Sequence, residues 1–128
     1  MTPKAQVLLP TLALAVGVWL ILAACAGAQT RPAADASQLF TRNCARCHGP
    51  SGEGGIGPRL IGPGHNLAKF RNGQLFFEYV KSSMPQDAPG SLKTEEYYQL
   101  TLYILRANGY LKADETPPLE RLVEISLE

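Results

Sequence analysis

Two cysteines and a histidine stand close together in the segment Cys44-Ala45-Arg46-Cys47-His48. Their spacing is C-x-x-C-H, the pattern to which a haem is attached covalently. Two thiols three positions apart at a helix end reach both vinyl groups of one porphyrin, and the next residue brings its imidazole to the iron. The segment therefore predicts one haem c, attached through Cys44 and Cys47, with His48 as an axial ligand.

Closely spaced cysteines also serve two other chemistries, a dithiol redox pair and a zinc site. A redox C-x-x-C is typical of a βαβ context, and this sequence contains no strand pattern. A structural zinc site needs four ligands, and His65 is the only further histidine. Beyond Cys25, only the two nearly adjacent cysteines remain, so a disulfide framework is not expected either. The pattern favours haem.

Three helices are predicted around this motif. Residues 36–45 form a short helix with Leu39 and Phe40 on its inner face. Residues 73–83 carry apolar side chains at i, i+1, i+4 and i+5, which is a helical stripe. The predicted stripe consists of Leu75, Phe76, Tyr79 and Val80.

The clearest helix is predicted over residues 94–108. Thr94 is its predicted N-cap, and Gly109 occupies the C′ position where glycine is favoured. One face carries Tyr97, Leu100 and Ile104 at helical spacing. Since no strand or internal repeat is visible, the chain is predicted to be all-α.

The segment between the motif and the second helix is rich in glycine and proline. Residues 49–64 contain seven glycines and three prolines, which excludes regular structure. A loop this long inside a compact domain makes sense if it wraps a group that is not protein. The predicted folded unit has only about 75 residues, and a domain of this size usually needs an additional stabilising group, such as a bound cofactor.

The N-terminal segment has the order of a secretory signal. Lys4 precedes the uncharged stretch 7–24, and Leu22-Ala23-Ala24-Cys25 resembles the lipobox of bacterial lipoproteins. The alternative is an uncleaved transmembrane anchor. We predict a signal peptide over 1–24, a lipid on Cys25, a tether over 25–36, a folded domain over 37–111 and a tail over 112–128. Either interpretation predicts an exported protein, held at the outer face of a bacterial membrane.

Residues 37–110 resemble a class I, mitochondrial-type cytochrome c domain. The resemblance implies a small fold of three to five helices wrapped around one covalently bound haem. It also implies that His48 is the proximal ligand and that Met84, in Ser83-Met84-Pro85, is the distal one. Gly57-Pro58 resembles the family's Gly-Pro, in which the proline carbonyl accepts a hydrogen bond from the ligand histidine and orients it.

Two further stretches carry this resemblance. Phe40, Leu100 and Tyr103 are similar to the family's crossing of first and last helices. Residues 82–92 look like the methionine loop of bacterial monohaem domains that serve membrane-bound dehydrogenases and respiratory complexes. The resemblance implies electron transfer between redox protein partners, either as a tethered shuttle or as a subunit of a complex such as alternative complex III.

Charge is distributed unevenly along the chain. Residues 42–81 hold six basic and two acidic side chains, whereas residues 82–128 hold four basic and eight acidic ones. The basic, haem-bearing part could steer an acidic redox partner, although the charges could also mix in three dimensions. Nothing in the sequence indicates nucleic-acid binding.

The alternative function is a haem enzyme or a gas-binding sensor, which needs an open distal position at the iron. With Met84 bound, both axial positions are filled. No acid, base or nucleophile constellation accompanies the motif. We therefore predict an electron carrier without catalytic activity.

Overall fold

The computed structural model describes residues 33–128, with side chains from residue 36 onward. Four α-helices follow one another along the chain: α1 (Ala33–Asn43), α2 (Ala45–His48), α3 (Gly73–Ser83) and α4 (Thr94–Ala107). Two short 3₁₀ helices complete the described part, Leu67–Phe70 and Leu119–Glu124. Residues 33–128 contain no β-strand, only an isolated bridge between Asn72 and Ser126. The predicted all-α class is confirmed.

The first and last α-helices cross each other in the core. The rings of Phe40 on α1 and Tyr103 on α4 lie 5.4 Å apart at 44°. Ala36, one turn before Phe40 on α1, is only 2% exposed. Aromatic pairs at this spacing stabilise beyond their buried area. This crossing closes one side of the domain.

Helix α4 begins and ends with well-formed caps. Its N-cap is Lys93, whose backbone N–H donates to the Glu96 carboxylate at 2.9 Å, so the predicted capping by Thr94 is wrong. The Glu96 carboxylate at N3 therefore satisfies the backbone N–H of the N-cap residue, which is one half of a capping box. At the other end Gly109 has φ +79°, and the N–H of Tyr110 donates to Leu105 at 3.0 Å. This Schellman geometry confirms the predicted C′ glycine.

Helix α3 has the predicted bounds but a different buried face. Phe76, Phe77 and Val80 are buried, whereas Leu75 and Tyr79 of the predicted stripe are 43% and 39% exposed. The face is set by the three elements that pack on α3, namely α4 and the two 3₁₀ helices Leu67–Phe70 and Leu119–Glu124. The predicted helical period of α3 was correct, but its buried face is determined by contacts with residues that are distant in the sequence.

The domain extends beyond the predicted boundaries at both ends. Helix α1 begins at Ala33, inside the predicted tether, in keeping with the high helix propensity of its alanines. The predicted tail, 112–128, packs back on the domain, where Leu122 and Leu127 are fully buried. Backbone bonds from Leu127 to Arg71 and from Gly73 to Ile125, both 2.9 Å, hold it in place.

None of the helices between residues 33 and 128 has both the length and the apolar character needed to span a bilayer. The longest of them, α4, has 14 residues. The predicted signal peptide over 1–24, the alternative anchor and Cys25 lie outside the described residues.

Candidate haem site

A single cavity brings together the side chains that the sequence singled out. It has a volume of about 310 Å³, and its lining includes Cys44, Cys47, His48, Pro58 and Met84. Its inner wall is apolar and consists of Leu60, Leu67, Phe76, Val80, Leu100 and Ile104. A deep apolar cavity with two thiols on one wall and nitrogen and sulfur donors in its lining fits a haem attached by thioethers.

The imidazole of His48 is held in a defined orientation at the end of α2. It is 7% exposed, and its Nδ1 lies 2.7 Å from the carbonyl oxygen of Pro58. Since a carbonyl oxygen only accepts, Nδ1 carries the proton and donates. The lone pair of Nε2 is then free for a metal, and the hydrogen bond also fixes the ring.

The glycine-rich loop is folded closely over α2. Gly57 donates its N–H to the carbonyl of Cys47 at 2.8 Å, and Gly54 donates to the carbonyl of His48 at 2.7 Å. The far end of the loop is tied to α4, because the amide of Asn108 donates to Leu60 at 2.8 Å and accepts from Gly62 at 3.0 Å. The loop thus presents the Pro58 carbonyl to His48. The role of Asn108 is not visible in the sequence, where this residue stands at an ordinary helix end.

Gly57 leaves no room for a side chain against the ligand imidazole. A Cβ at this position would lie 2.7 Å from Cε1 and 2.9 Å from Nδ1 of His48. We expect Gly57→Ala to push the ring away from the Pro58 carbonyl, to destabilise the holoprotein by about 1–3 kcal/mol, and to change its spectrum and potential. Thermal unfolding, absorption spectra and redox titration measure these effects.

Gly64→Ala is the matched control for this change. Gly64 has φ +84° but open space around it, so alanine there strains the backbone by about 1–2 kcal/mol without touching the haem cavity. The control should lower the melting temperature and leave the spectrum and potential unchanged. Equal spectral changes in both variants would contradict the role assigned to Gly57.

The thiol of Cys44 is a poor candidate for dithiol redox chemistry. Burial, with a smaller contribution from Cys47, raises the pKa of the Cys44 thiol to about 11. Reactive C-x-x-C pairs work with a lowered thiol pKa, because the thiolate is the nucleophile. Within residues 33–128, no three His, Cys, Asp or Glu side chains are grouped to hold a metal ion directly.

Met84 lies just after α3 and is held through its backbone. Its N–H donates to Val80 at 3.0 Å, and its carbonyl accepts a hydrogen bond from the hydroxyl of Tyr97 at 2.8 Å. The sequence assigned Tyr97 to the apolar face of α4, which is correct for its ring. The contact of its hydroxyl was missed, since it depends on how residues 84–92 fold back.

His65, the only histidine in the sequence apart from His48, does not line the cavity. Its Nδ1 lies 3.4 Å from the backbone nitrogen of Leu67, and its ring is 5.9 Å from the ring of Tyr110. It lies near the end of α4, away from Met84. The geometry gives no support to His65 as an axial ligand.

The mouth of the cavity is lined by charged and exposed side chains. Arg46, between the two cysteines, forms an ion pair with Asp87, which lies three residues after Met84. The Asp87 carboxylate raises the pKa of Arg46 through a hydrogen bond and its charge. Nearby, the ammonium of Lys69 lies 4.8 Å from the ring centre of Phe70, and Ile56 is 90% exposed.

The helix crossing, the C-x-x-C-H segment and the hydrogen bond from His48 to a Gly-Pro carbonyl define a class I c-type cytochrome. A family model described as cytochrome c oxidase, cbb3-type, subunit III, matches residues 31–104. The chain belongs to this family, and it carries haem c bound covalently at Cys44 and Cys47.

A solved structure is similar to the chain over most of its length. It is the sulfane dehydrogenase SoxCD from Paracoccus pantotrophus, with 28% sequence identity and a TM-score of 0.59. The match covers 74% of this chain and 52% of that one, so this chain spans about half the length of its neighbour. The comparison with curated proteins gives no match.

Proposed function

We propose that this protein is a single-electron carrier whose haem iron is bound by His48 and Met84 and which has no catalytic activity of its own. The observation that carries the proposal is the cavity lining, in which an oriented imidazole and a thioether accompany the two haem-binding cysteines. A haem with both axial positions filled supplies one-electron chemistry without binding a substrate at iron. A thioether ligand raises the reduction potential relative to two imidazoles.

The protein's own residues hold and shield this group. Thioethers formed by Cys44 and Cys47 would anchor the haem, and the Pro58 carbonyl fixes the imidazole of His48. Buried side chains such as Leu67 and Leu100 form the apolar wall, which excludes water. A dry surrounding disfavours the extra charge of the ferric state and further tunes the potential.

The alternative, a haem enzyme or gas sensor, has less support from the cavity. Its charged lining residues are Arg46, Arg59, Lys69 and Asp87, and each is exposed at the mouth. Peroxide chemistry calls for an acid or base held over an open iron position. The buried and half-buried residues that line the cavity include Met84, which can fill the distal position at the iron. This favours an electron carrier over an enzyme or sensor.

Carbon monoxide binding to the native reduced protein tests the carrier function. We expect the folded holoprotein to bind carbon monoxide slowly and incompletely, because Met84 occupies the position that the gas needs. The same protein in denaturant serves as the positive control and should bind it rapidly. Rapid, complete binding by the folded protein would overturn the proposal and favour the sensor or enzyme.

We infer that the redox partner docks at the mouth of the cavity and carries acidic groups. The exposed side chains of Ile56, Arg59 and Lys69 lie there, which combines an apolar centre with positive charge. In contrast, the cleft beside the C-terminal segment is lined by Glu115 and Glu124, with Arg121 paired to the latter. Such charge separation orients a partner during encounter, in a way that salt weakens.

We propose that the protein is exported and lipid-anchored through Cys25 at the outer face of a bacterial membrane. The support is the sequence segment Leu22-Ala23-Ala24-Cys25. The matching family model describes an oxidase subunit, and the similar solved structure is a dehydrogenase. Both are compatible with two roles for this protein: a subunit of a larger redox assembly, such as alternative complex III, or a shuttle. Copurification after mild detergent extraction distinguishes the subunit from the shuttle.

Mass spectrometry of the native protein tests the lipid anchor. The N-terminal residue should be Cys25, carrying a lipid, and Cys25→Ser should abolish this modification. A chain that still begins at Met1 with an unmodified Cys25 would instead support the transmembrane anchor.

A further inference from the structure

We propose that the hydroxyl group of Tyr97 is a positioning group that holds Met84 at the haem iron. The proposal rests on the proposed function, because it takes Met84 as the distal ligand. Tyr97 is 1% exposed and belongs to the first turn of α4. Its hydroxyl donates to the Met84 carbonyl at 2.8 Å and accepts from the N–H of Leu92 at 3.3 Å.

These two bonds join the two ends of one segment. Residues 84–92, here called the methionine loop, leave α3 and return to the start of α4. Inside the loop the backbone bonds are local: Ala88 donates to Pro85 at 2.9 Å and Ser91 to Ala88 at 3.2 Å. Residues 86–91 are exposed along their whole length. A loop with so little buried surface opens readily unless something anchors its ends.

The loop has one other side-chain tie in the described residues, the ion pair between Asp87 and Arg46. The two side chains are 58% and 71% exposed, so water and salt weaken their attraction. The Tyr97 hydroxyl, in contrast, is shielded from water and salt. Removing one partner of a buried hydrogen bond is also costly, because the other polar group stays buried with no hydrogen bond to protein or water. The phenol is therefore the main side-chain anchor of Met84.

Tyr97→Phe removes the hydroxyl and retains the buried ring. The holoprotein variant is tested in the oxidised state with imidazole, which binds iron only when Met84 has dissociated. The substitution removes both hydrogen bonds of the hydroxyl, and it should raise the population of dissociated Met84, and hence the apparent imidazole affinity, about five- to tenfold. The rate of carbon monoxide binding to the reduced protein should rise by a similar factor.

Tyr98→Phe is the matched control. Tyr98 is the next residue on α4, and its hydroxyl also donates to a backbone carbonyl, that of Pro117 in the C-terminal segment. The chemical change is identical, but the bond is remote from the methionine loop. We expect its imidazole affinity to equal that of the unmodified protein. The same increase in both variants would show general loosening of the domain and would overturn the proposal.

A second measurement separates positioning from overall stability. In a Met84→Ala background there is no thioether to displace, so adding Tyr97→Phe should leave the imidazole affinity unchanged. A further five- to tenfold increase in this background would show that Tyr97 acts on the cavity in another way, against the proposal.

The outcomes also distinguish this proposal from the proposed function. If Met84→Ala raises the imidazole affinity and Tyr97→Phe does not, the anchoring role fails while Met84 remains the ligand. If the unmodified protein already binds imidazole as tightly as Met84→Ala, Met84 is not the ligand, and the proposed function fails together with the inference.

Discussion

Replacing both Cys44 and Cys47 by alanine is expected to abolish stable holoprotein and leave the chain largely unfolded. The two thiols are the covalent attachment points of the haem, and both line the central cavity. Without attachment, the apolar wall formed by Leu67, Phe76 and Leu100 faces empty space or water.

The size of the cavity explains why this effect is large. At about 24 cal/mol per Å³, an unfilled volume of 310 Å³ costs about 7 kcal/mol. A small domain has a total stability of about 5–15 kcal/mol, so this loss takes most or all of it. The glycine-rich loop depends on the same cavity, because its bonds to Cys47 and His48 wrap one side of it.

Circular dichroism and a haem stain after denaturing electrophoresis measure this outcome. Arg46→Ala is the matched control, because Arg46 lies between the two cysteines on α2 and its side chain is exposed. The control should retain covalent haem and a cooperative melting transition. A double cysteine variant that melts cooperatively without haem would contradict the cavity argument.

Replacing Met84 is expected to change the chemistry of the iron while the fold survives. In Met84→Ala the reduced protein should bind carbon monoxide rapidly and completely, since the distal position becomes vacant. In Met84→His the iron should stay six-coordinate, with a reduction potential lower by roughly 0.1–0.3 V, within the range of about 0.8 V that axial ligands span. Imidazole favours the ferric state more than a thioether does.

Absorption spectra and redox titration of the two variants measure these effects. The weak sulfur-to-iron band of the oxidised protein should disappear in both of them. His65→Ala is the control, because His65 is the only other histidine apart from His48 and does not line the cavity. If Met84→Ala left the spectrum and potential unchanged and His65→Ala altered them, the ligand assignment would be wrong.

Much of this protein could be predicted from sequence because its signals are local. The C-x-x-C-H spacing defines a covalent haem site within five residues, and the family match agrees with it. The bounds of α3 and the C′ glycine of α4 follow from periodicity and from backbone conformations available to few residues. The contact between His48 and Pro58 was implied by the resemblance of Gly57-Pro58 to the Gly-Pro of class I cytochromes, and the structure places the two atoms 2.7 Å apart.

Other features depended on which distant segments meet. Leu75 is exposed because α4 and the C-terminal segment pack on the other side of α3, and no periodicity within α3 contains that information. Residues 112–128 pack on their own domain through buried leucines whose partners lie about 50 residues earlier.

The Tyr97 hydroxyl shows the difference most clearly. Its ring was assigned to the core from helical spacing, because spacing reports which face of a helix is buried. Its hydrogen bonds to Met84 and Leu92 exist only because the methionine loop returns to the start of α4. Local sequence determines the chemistry of each group here, whereas the packing of distant elements decides which groups that chemistry can reach.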